Sequence, residues 1–479
     1  MKKNVSTGAK RPIVGLVLGA TATAAIIVAC GGGGASSTAV VPTLRAASVG
    51  TFVIDNAAAF KLPSETANQY DAHLALATAN AGSSSGYYDA KELRRQWCYS
   101  VENPSAPPEL ADTALVAPTK LFDNLHVMGY NWVSQFVLKT EDSSLFLLDL
   151  LNNKADGQLI TEPGLATLGY DPKKIIAAMP THGHGDHIGG AGYLQGKYGF
   201  PVYLGSLDAG VGAGATGARP FDPFTVTSLD NAILTAQEKT FGGSAVTLLS
   251  TPGHTPGTFS GIIPAKIGNT TYKLAFWGGT GTTGLNLASM KNYLDGTERL
   301  YKLSAEKKVD GTLHTHLFVD GSLAKIKAVA ATPGLTNSAA TNPFLIGNAL
   351  ALRSYAVLRE CSAAKVAQLD PTAKLSAWHV TATQVKTTPP VFNGLFTTMD
   401  ATAVVTNPFG WISGGTVTFK AVETGEFCQA DTDKTGTAKC TINNLTSANV
   451  KTITAEFSGF TMPDGTVQLA SAGSVALGR

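Results

Sequence analysis

Charge is scarce in this chain. Only 15% of its 479 residues are charged, where about 25% is typical, and 36 Lys or Arg against 34 Asp or Glu leave a formal net charge of +2. So sparse and balanced a charge excludes a nucleic-acid binder, which needs a clustered basic face to follow phosphates. Cysteine is scarce too, with five in all. Apolar and small residues are plentiful. Hydrophobic residues at 44% exclude wholesale disorder, and 51 glycines point to many turns and short strands more than to a helical bundle. At roughly 100–200 residues per domain, the length allows two to four domains and a sizeable core.

The N-terminus reads as an address. Lys2, Lys3, Lys10 and Arg11 make a positive leader ahead of an apolar stretch from Pro12 to Ala29. That stretch approaches the roughly 18 residues a spanning helix needs, so a retained anchor and plain secretion are the alternatives. Ile27-Val28-Ala29-Cys30 resembles the lipobox of bacterial lipoproteins, and Gly31 to Gly34 with Ala35-Ser36-Ser37 follow as a tether. The resemblance implies a lipoprotein signal peptide over residues 1–30, cut before Cys30. The acylated Cys30 would then anchor an exported protein to the bacterial cell envelope, at the outer membrane, facing the periplasm or the surface.

Export makes the other cysteines candidates for disulfides. Cys428 and Cys440 flank the turn signal Asp433-Lys434-Thr435-Gly436, so pairing across a hairpin is natural. Closing so short a loop stabilises by about 3 kcal/mol in the chain-entropy model. Cys98 and Cys361 are then the pair left by elimination. Four cysteines allow three connectivities, and these two would also serve as buried thiols.

Residues 31–115 read as a linker and N-terminal extension, with a helix expected around Asn68 to Ala81. Short apolar runs follow at Val133 to Leu138 and Leu145 to Leu150, consistent with a hairpin of buried strands. Further strands are expected at Lys174 to Met179, Pro201 to Leu204, Ala245 to Leu249 and Leu274 to Trp277, with helices over Gly190 to Tyr198 and Asn348 to Leu369. This alternation indicates an α/β domain over residues 116–378. Beyond Trp378, Thr and Val dominate and short strands recur. Residues 379–479 therefore read as an antiparallel β-sandwich, and they resemble the Ig-like repeats of bacterial surface proteins. Its expected role is spacing or adhesion, through contact with a cell surface or polysaccharide.

The chemistry lies in Thr181-His182-Gly183-His184-Gly185-Asp186-His187, four metal-competent side chains in six residues after an apolar strand. The intervening glycines let the backbone bend sharply. Imidazole and carboxylate together suit zinc or another divalent transition metal. This run resembles the HxHxDH signature of the metallo-β-lactamase superfamily, whose later motifs follow in order. Thr251-Pro252-Gly253-His254 resembles the loop whose histidine completes the first metal site. His314-Thr315-His316-Leu317-Phe318-Val319-Asp320-Gly321 resembles the tail that supplies the second site, with His316 as ligand and His314 as scaffold. Asp149 stands where the family has an early structural aspartate, although the usual glycine after it is missing. Leu121-Phe122-Asp123-Asn124-Leu125 resembles the opening strand.

The resemblance implies an αββα sandwich holding two Zn2+ ions. His182, His184 and His254 would bind one, and Asp186, His187 and His316 the other, with Asp186 also the catalytic residue that orients the attacking hydroxide. Glyoxalase-like and lactonase-like members carry a bridging aspartate, but here Leu274 to Trp277 is followed by Gly278-Gly279-Thr280. That departure makes the set most like the third subclass of metallo-β-lactamases. The serine of that subclass would fall among Gly279, Thr280 and Thr282. The implied function is zinc-dependent hydrolysis of a lactam, amide or ester in a small-molecule substrate. A same-fold esterase or lactonase, or a surface adhesion protein with a vestigial metal site, are the alternatives. The Gly-rich stretch from Ala209 to Arg219 would shape or cover the pocket. His73, His126 and His379 read as surface or satisfied core residues.

Overall fold

The structure, a computed structural model, describes residues 69–373 apart from 83 and 217–219, the short strand Val53–Ile54, and parts of residues 375–476. The leader with Cys30, most of residues 31–68 and His379 lie outside the described residues.

Two stacked sheets form the centre. The first has seven strands in chain order: Leu115–Lys120, Leu125–Tyr130, Ser134–Lys139, Leu145–Leu148, Ile175–Met179, Val202–Gly205 and Val226–Leu229. Its pairing is antiparallel up to Leu145–Leu148 and parallel beyond. The second has five: Gln237–Phe241, Ser244–Ser250, Phe259–Ile267, Thr270–Phe276 and Gly311–Leu313.

Side-chain alternation assigns the faces. From Leu145–Leu148, Phe146 and Leu148 pack into the space between the sheets, against Phe241, Val246 and Phe276. Leu145 and Leu147 point the other way, toward Leu165, Ile188 and Leu194 on helices. A strand covered on both faces reads as an unbroken apolar run, which is why this one was legible. The second sheet turns Leu249, Ile262, Ala275 and Trp277 toward the helices Gln69–Ala81, Ala90–Glu102, Leu287–Glu306 and Asn348–Leu369. The layers therefore run helix, sheet, sheet, helix, the expected αββα sandwich.

The helices expected over Asn68–Ala81, Gly190–Tyr198 and Asn348–Leu369 form at Gln69–Ala81, Ala191–Tyr198 and Asn348–Leu369. The last is buried around much of its girth, with Arg359 paired to Glu298 and Glu360 at 2.8 Å each. His73 is a core residue, one of the two expected readings; its Nδ1 meets Glu360 at 2.5 Å while its buried Nε2 has no partner among the described residues. The extension ahead of residue 116 supplies two of the covering helices, and Cys98 on one of them is bonded to Cys361 on the long helix.

One expected strand is a turn. Leu121 to Asn124 links Leu115–Lys120 to Leu125–Tyr130. Its two short polar side chains tie it to the second sheet: Asn124 Oδ1 accepts from Lys266 N at 2.7 Å, and Asp123 Oδ2 accepts from Gly268 N at 2.7 Å. These long-range bonds hold the segment in a turn.

Residues 380–476 are mostly strands in small sheets around a core of their own, which includes Met399, Val405, Val417, Phe419, Ile453 and Phe457. Cys428 and Cys440 are bonded. The expected hairpin between them does not form among the described residues. Phe427–Asp431 pairs with Thr416–Ala421, whereas Thr437–Asn443 pairs with Thr398–Asn407, so the disulfide links two sheets instead of two neighbours in one.

Candidate metal centre

The site is built where five strands end. His182 follows Ile175–Met179, Asp149 follows Leu145–Leu148, and His254 follows Ser244–Ser250. Gly278 to Gly281 follow Thr270–Phe276, and His314 and His316 follow Gly311–Leu313. Asp186 and His187 ride on the single-turn helix Gly185–Ile188. The fold brings His182, His184 and His254 together in one cluster and Asp186, His187 and His316 in another, with ligand atoms in each within 4.8 Å. His182, His187 and His316 are buried, while His184 faces solvent and opens the site.

Hydrogen bonds around the rim set the tautomers. His182 Nδ1 lies 2.7 Å from Gly278 O, His254 Nδ1 2.9 Å from Gly281 O, and His316 Nδ1 2.7 Å from Trp132 O. A carbonyl oxygen only accepts, so each Nδ1 carries the proton and each Nε2 is a bare acceptor. His187 Nδ1 donates in the same way to Asp149 Oδ2 at 2.6 Å. The inner nitrogens of each group then face one another. His182 Nε2 is 3.1 Å from His184 Nδ1, and His187 Nε2 is 3.2 Å from His316 Nε2, with Asp186 Oδ2 3.3 Å from His187 Nε2. Lone pairs so placed repel unless a cation or proton lies between them. Histidines whose outer nitrogens are tied to carbonyls and a carboxylate are the usual support of a metal. The donor set fits zinc.

The electrostatics agree. Burial holds His182 well below its usual pKa and brings His254 down to about 3, so both stay neutral. Burial also works against charge on His187, yet the carboxylates of Asp149 and Asp186 outweigh it and push that pKa up to about 10. For Asp186 burial favours the neutral acid, but the neighbouring His187 outweighs it and keeps the carboxyl ionised well below its usual range. The second cluster is thus a place where positive charge is stabilised.

Several partners were not legible in the sequence. Trp132 supplies the carbonyl for His316, and its ring stacks on that imidazole at 5.9 Å. It also borders a groove of about 800 Å³ with Asn152, Lys154, Phe221 and Pro223; Ala215 and Thr216 of the Gly-rich stretch line it too. His314 is buried and lies outside both clusters, its Nδ1 accepting from His316 N at 2.9 Å and its Nε2 3.1 Å from Thr280 Oγ1. Thr282 instead meets Ser100 of the helix Ala90–Glu102 at 2.9 Å. The glycine missing after Asp149 is offset by left-handed backbone at Asp149 and Leu151, with φ of 66° and 58°. The absence of a bridging carboxylate has a steric cause. A Cβ on Gly278 would lie 1.8 Å from Phe259 O, and one on Gly279 2.6 Å from His254 Cβ.

No curated protein matches the chain closely enough to count as a relative. Among solved structures it is similar to BJP-1, a subclass B3 metallo-β-lactamase of Bradyrhizobium japonicum. Identity is 23% over 51% of this chain and 91% of that one, with a TM-score of 0.41. It is also similar to a metallo-β-lactamase from Cronobacter sakazakii (22% identity, 52% and 93% covered, TM-score 0.43). A third is a mutant of the FEZ-1 metallo-β-lactamase from Legionella gormanii (17% identity, 56% and 100% covered, TM-score 0.46). Residues 133–266 match the family model described as the metallo-beta-lactamase superfamily, a stretch that runs from the strand after Trp132 through His254. This part of the chain belongs to a metallo-β-lactamase superfamily domain.

Proposed function

We propose that the protein is a two-metal hydrolase of the third-subclass β-lactamase kind, cleaving a lactam, amide or ester carbonyl in a small molecule. His182, His184 and His254 would hold one zinc ion, and Asp186, His187 and His316 the other. The observation that carries this reading is the convergence of six metal-competent side chains in two groups, with ligand atoms in each within 4.8 Å and with His182, His254, His187 and His316 braced from outside. Such ions, when bound, supply an acidified water and a polarised carbonyl at neutral pH.

The chain's own groups do the rest. Asp149 and the carbonyls of Gly278, Gly281 and Trp132 hold the imidazoles in one tautomer. Asp186, ionised and partly exposed, is placed to accept a hydrogen bond from the attacking water and keep it in line. Trp132 presents an aromatic wall to whatever enters the groove beside His316. The crowding at Gly278 and Gly279 disfavours the lactonase and glyoxalase pattern, which needs a carboxylate there.

The test is metal analysis followed by a substrate panel. We expect close to two zinc ions per chain and turnover of nitrocefin or a carbapenem. Turnover of lactones or p-nitrophenyl esters alone would move the assignment to a same-fold esterase. Two bound ions with no hydrolysis of any of these would refute it. We further propose that Cys30 carries the lipid that holds the enzyme at the cell envelope and that residues 379–479 are an Ig-like spacer. Release of a Cys30→Ser variant from the membrane fraction tests the anchor.

A further inference from the structure

Outside the ligand clusters, one buried carboxylate touches both metal loops. Asp208 lies in the first turn of the 3-10 helix Ser206–Ala213 and is only 7% exposed. Its Oδ2 accepts from Gly183 N at 2.8 Å and from Thr255 Oγ1 at 2.6 Å, while Oδ1 accepts from Gly257 N at 2.8 Å. Gly183 sits between His182 and His184, and Thr255 directly follows His254. We propose that Asp208 is the positioning residue of the first metal cluster, a clamp that fixes the His182–His184 loop against the His254 loop. The proposal rests on the two-metal reading above.

The clamp answers a problem of architecture. One backbone bond, Phe259 N to Thr181 O at 2.9 Å, joins the two sheets beside the site, but no ladder of hydrogen bonds sets the distance between the His182–His184 loop of the first and the His254 loop of the second. A single carboxylate with three donors from the two loops does so directly. Charge-assisted bonds of this kind are roughly twice as strong as neutral ones.

The loops are also cut to receive it. A Cβ on Gly183 would come within 3.0 Å of the Asp208 Cβ, and one on Gly257 within 2.4 Å of its Cγ. A side chain at Gly257 would displace the carboxylate, and one at Gly183 would crowd it. The second cluster depends on other supports, Asp149 for His187 and the Trp132 carbonyl for His316. Loss of the clamp should therefore be felt at one site and not at both.

The experiment uses the full chain and the Asp208→Asn variant, which keeps the shape but turns one acceptor into a donor facing N–H or O–H groups. Zinc affinity is measured by dialysis against graded free zinc, and the cobalt-loaded spectra are compared with His254→Ala and His187→Ala, which lack a ligand of the first and second sites. We expect the first ion to bind at least about 10-fold more weakly, the low end for loss of a ligand's support. The second ion should be unchanged, the one-cobalt spectrum should match that of His254→Ala, and the melting temperature of the metal-free protein should be close to wild type.

Equal weakening of both ions together with a lower metal-free melting temperature would show a general structural role and overturn the proposal. Unchanged affinity for both would do the same. If Asp208→Asn does not fold, Thr255→Val removes one bond of the clamp and should weaken the first ion alone, by several-fold; no effect there would count against the clamp. Fewer than two ions on the wild-type protein would instead sink the two-metal reading, so the two failures appear in different samples.

Discussion

Asp149→Asn isolates the support of the second metal cluster. Asp149 is fully buried, and its two oxygens accept from Thr181 N and His187 Nδ1 at 2.6 Å each. Asparagine fits the same space, but its amide has one acceptor. Whichever way it is turned, its NH2 group meets a donor. If it faces Nδ1, His187 must move its proton to Nε2, the nitrogen directed at His316 and Asp186, and that nitrogen can no longer bind metal. If it faces Thr181, the amide N–H there is orphaned in the interior. A hydrogen bond to a charged group contributes about 1.5–3 kcal/mol. At 1.36 kcal/mol per tenfold, that is roughly a 10- to 150-fold loss of affinity for the second ion. Mutation of a ligand's support independently leads to about 10–100-fold. Competition for zinc against a chelator of known affinity measures it. The first ion should bind as in wild type, because His182 and His254 are braced by Gly278 and Gly281. Wild-type affinity for both ions, or an equal loss at both, would refute the reasoning.

Asp186→Asn should lower turnover by about 100-fold or more even at saturating zinc, since it weakens a ligand and misaligns the attacking water together; turnover like wild type would show that another group holds the water. Removing the Cys98–Cys361 bond by a double alanine substitution opens a loop of 263 residues. In the chain-entropy model this costs about 5.6 kcal/mol, and a denaturant midpoint near wild type would contradict it. His126 gives a pH signature. Burial, aided by Lys120 and Lys139, brings its folded pKa down to about 4 from 6.5. Between those values the unfolded chain binds more protons, so stability is full above pH 6.5 and falls as pH drops toward 4, by up to about 3 kcal/mol. His126→Gln in the metal-free protein should lack that share of the acid loss, and melting curves at pH 7 and pH 4.5 would show otherwise if the pKa is not depressed.

Much of the site was legible because its ligands cluster in sequence. His182, His184, Asp186 and His187 come from one loop, and packing alone gives no reason to place four such side chains after an apolar strand. Their supports were hidden because they are mostly backbone. The carbonyls of Gly278, Gly281 and Trp132 carry no residue-type signal at all. Asp208 is a lone aspartate just ahead of the Gly-rich stretch, 25 residues from its partner Gly183. The same limit shows in the turn at Leu121 to Asn124, where an apolar start suggested a strand and tertiary bonds from Asp123 and Asn124 to the second sheet decided otherwise.

What the sequence by itself determined is the inventory. Unbroken apolar runs such as Leu145 to Leu148 specify strands covered on both faces, the His-rich loop supplies four side chains that could hold a metal, and the four cysteines beyond Cys30 supply two disulfides. Those signals are local, and local spacing is enough to carry them. The tertiary structure alone decided how the parts meet. It tied the helix Ala90–Glu102 to the helix Asn348–Leu369 through Cys98 and Cys361, sent Cys428 and Cys440 to different sheets, and closed Gly278 and Gly279 to any side chain. Each depends on distances between segments tens to hundreds of residues apart, which packing fixes to within an ångström and residue order does not express.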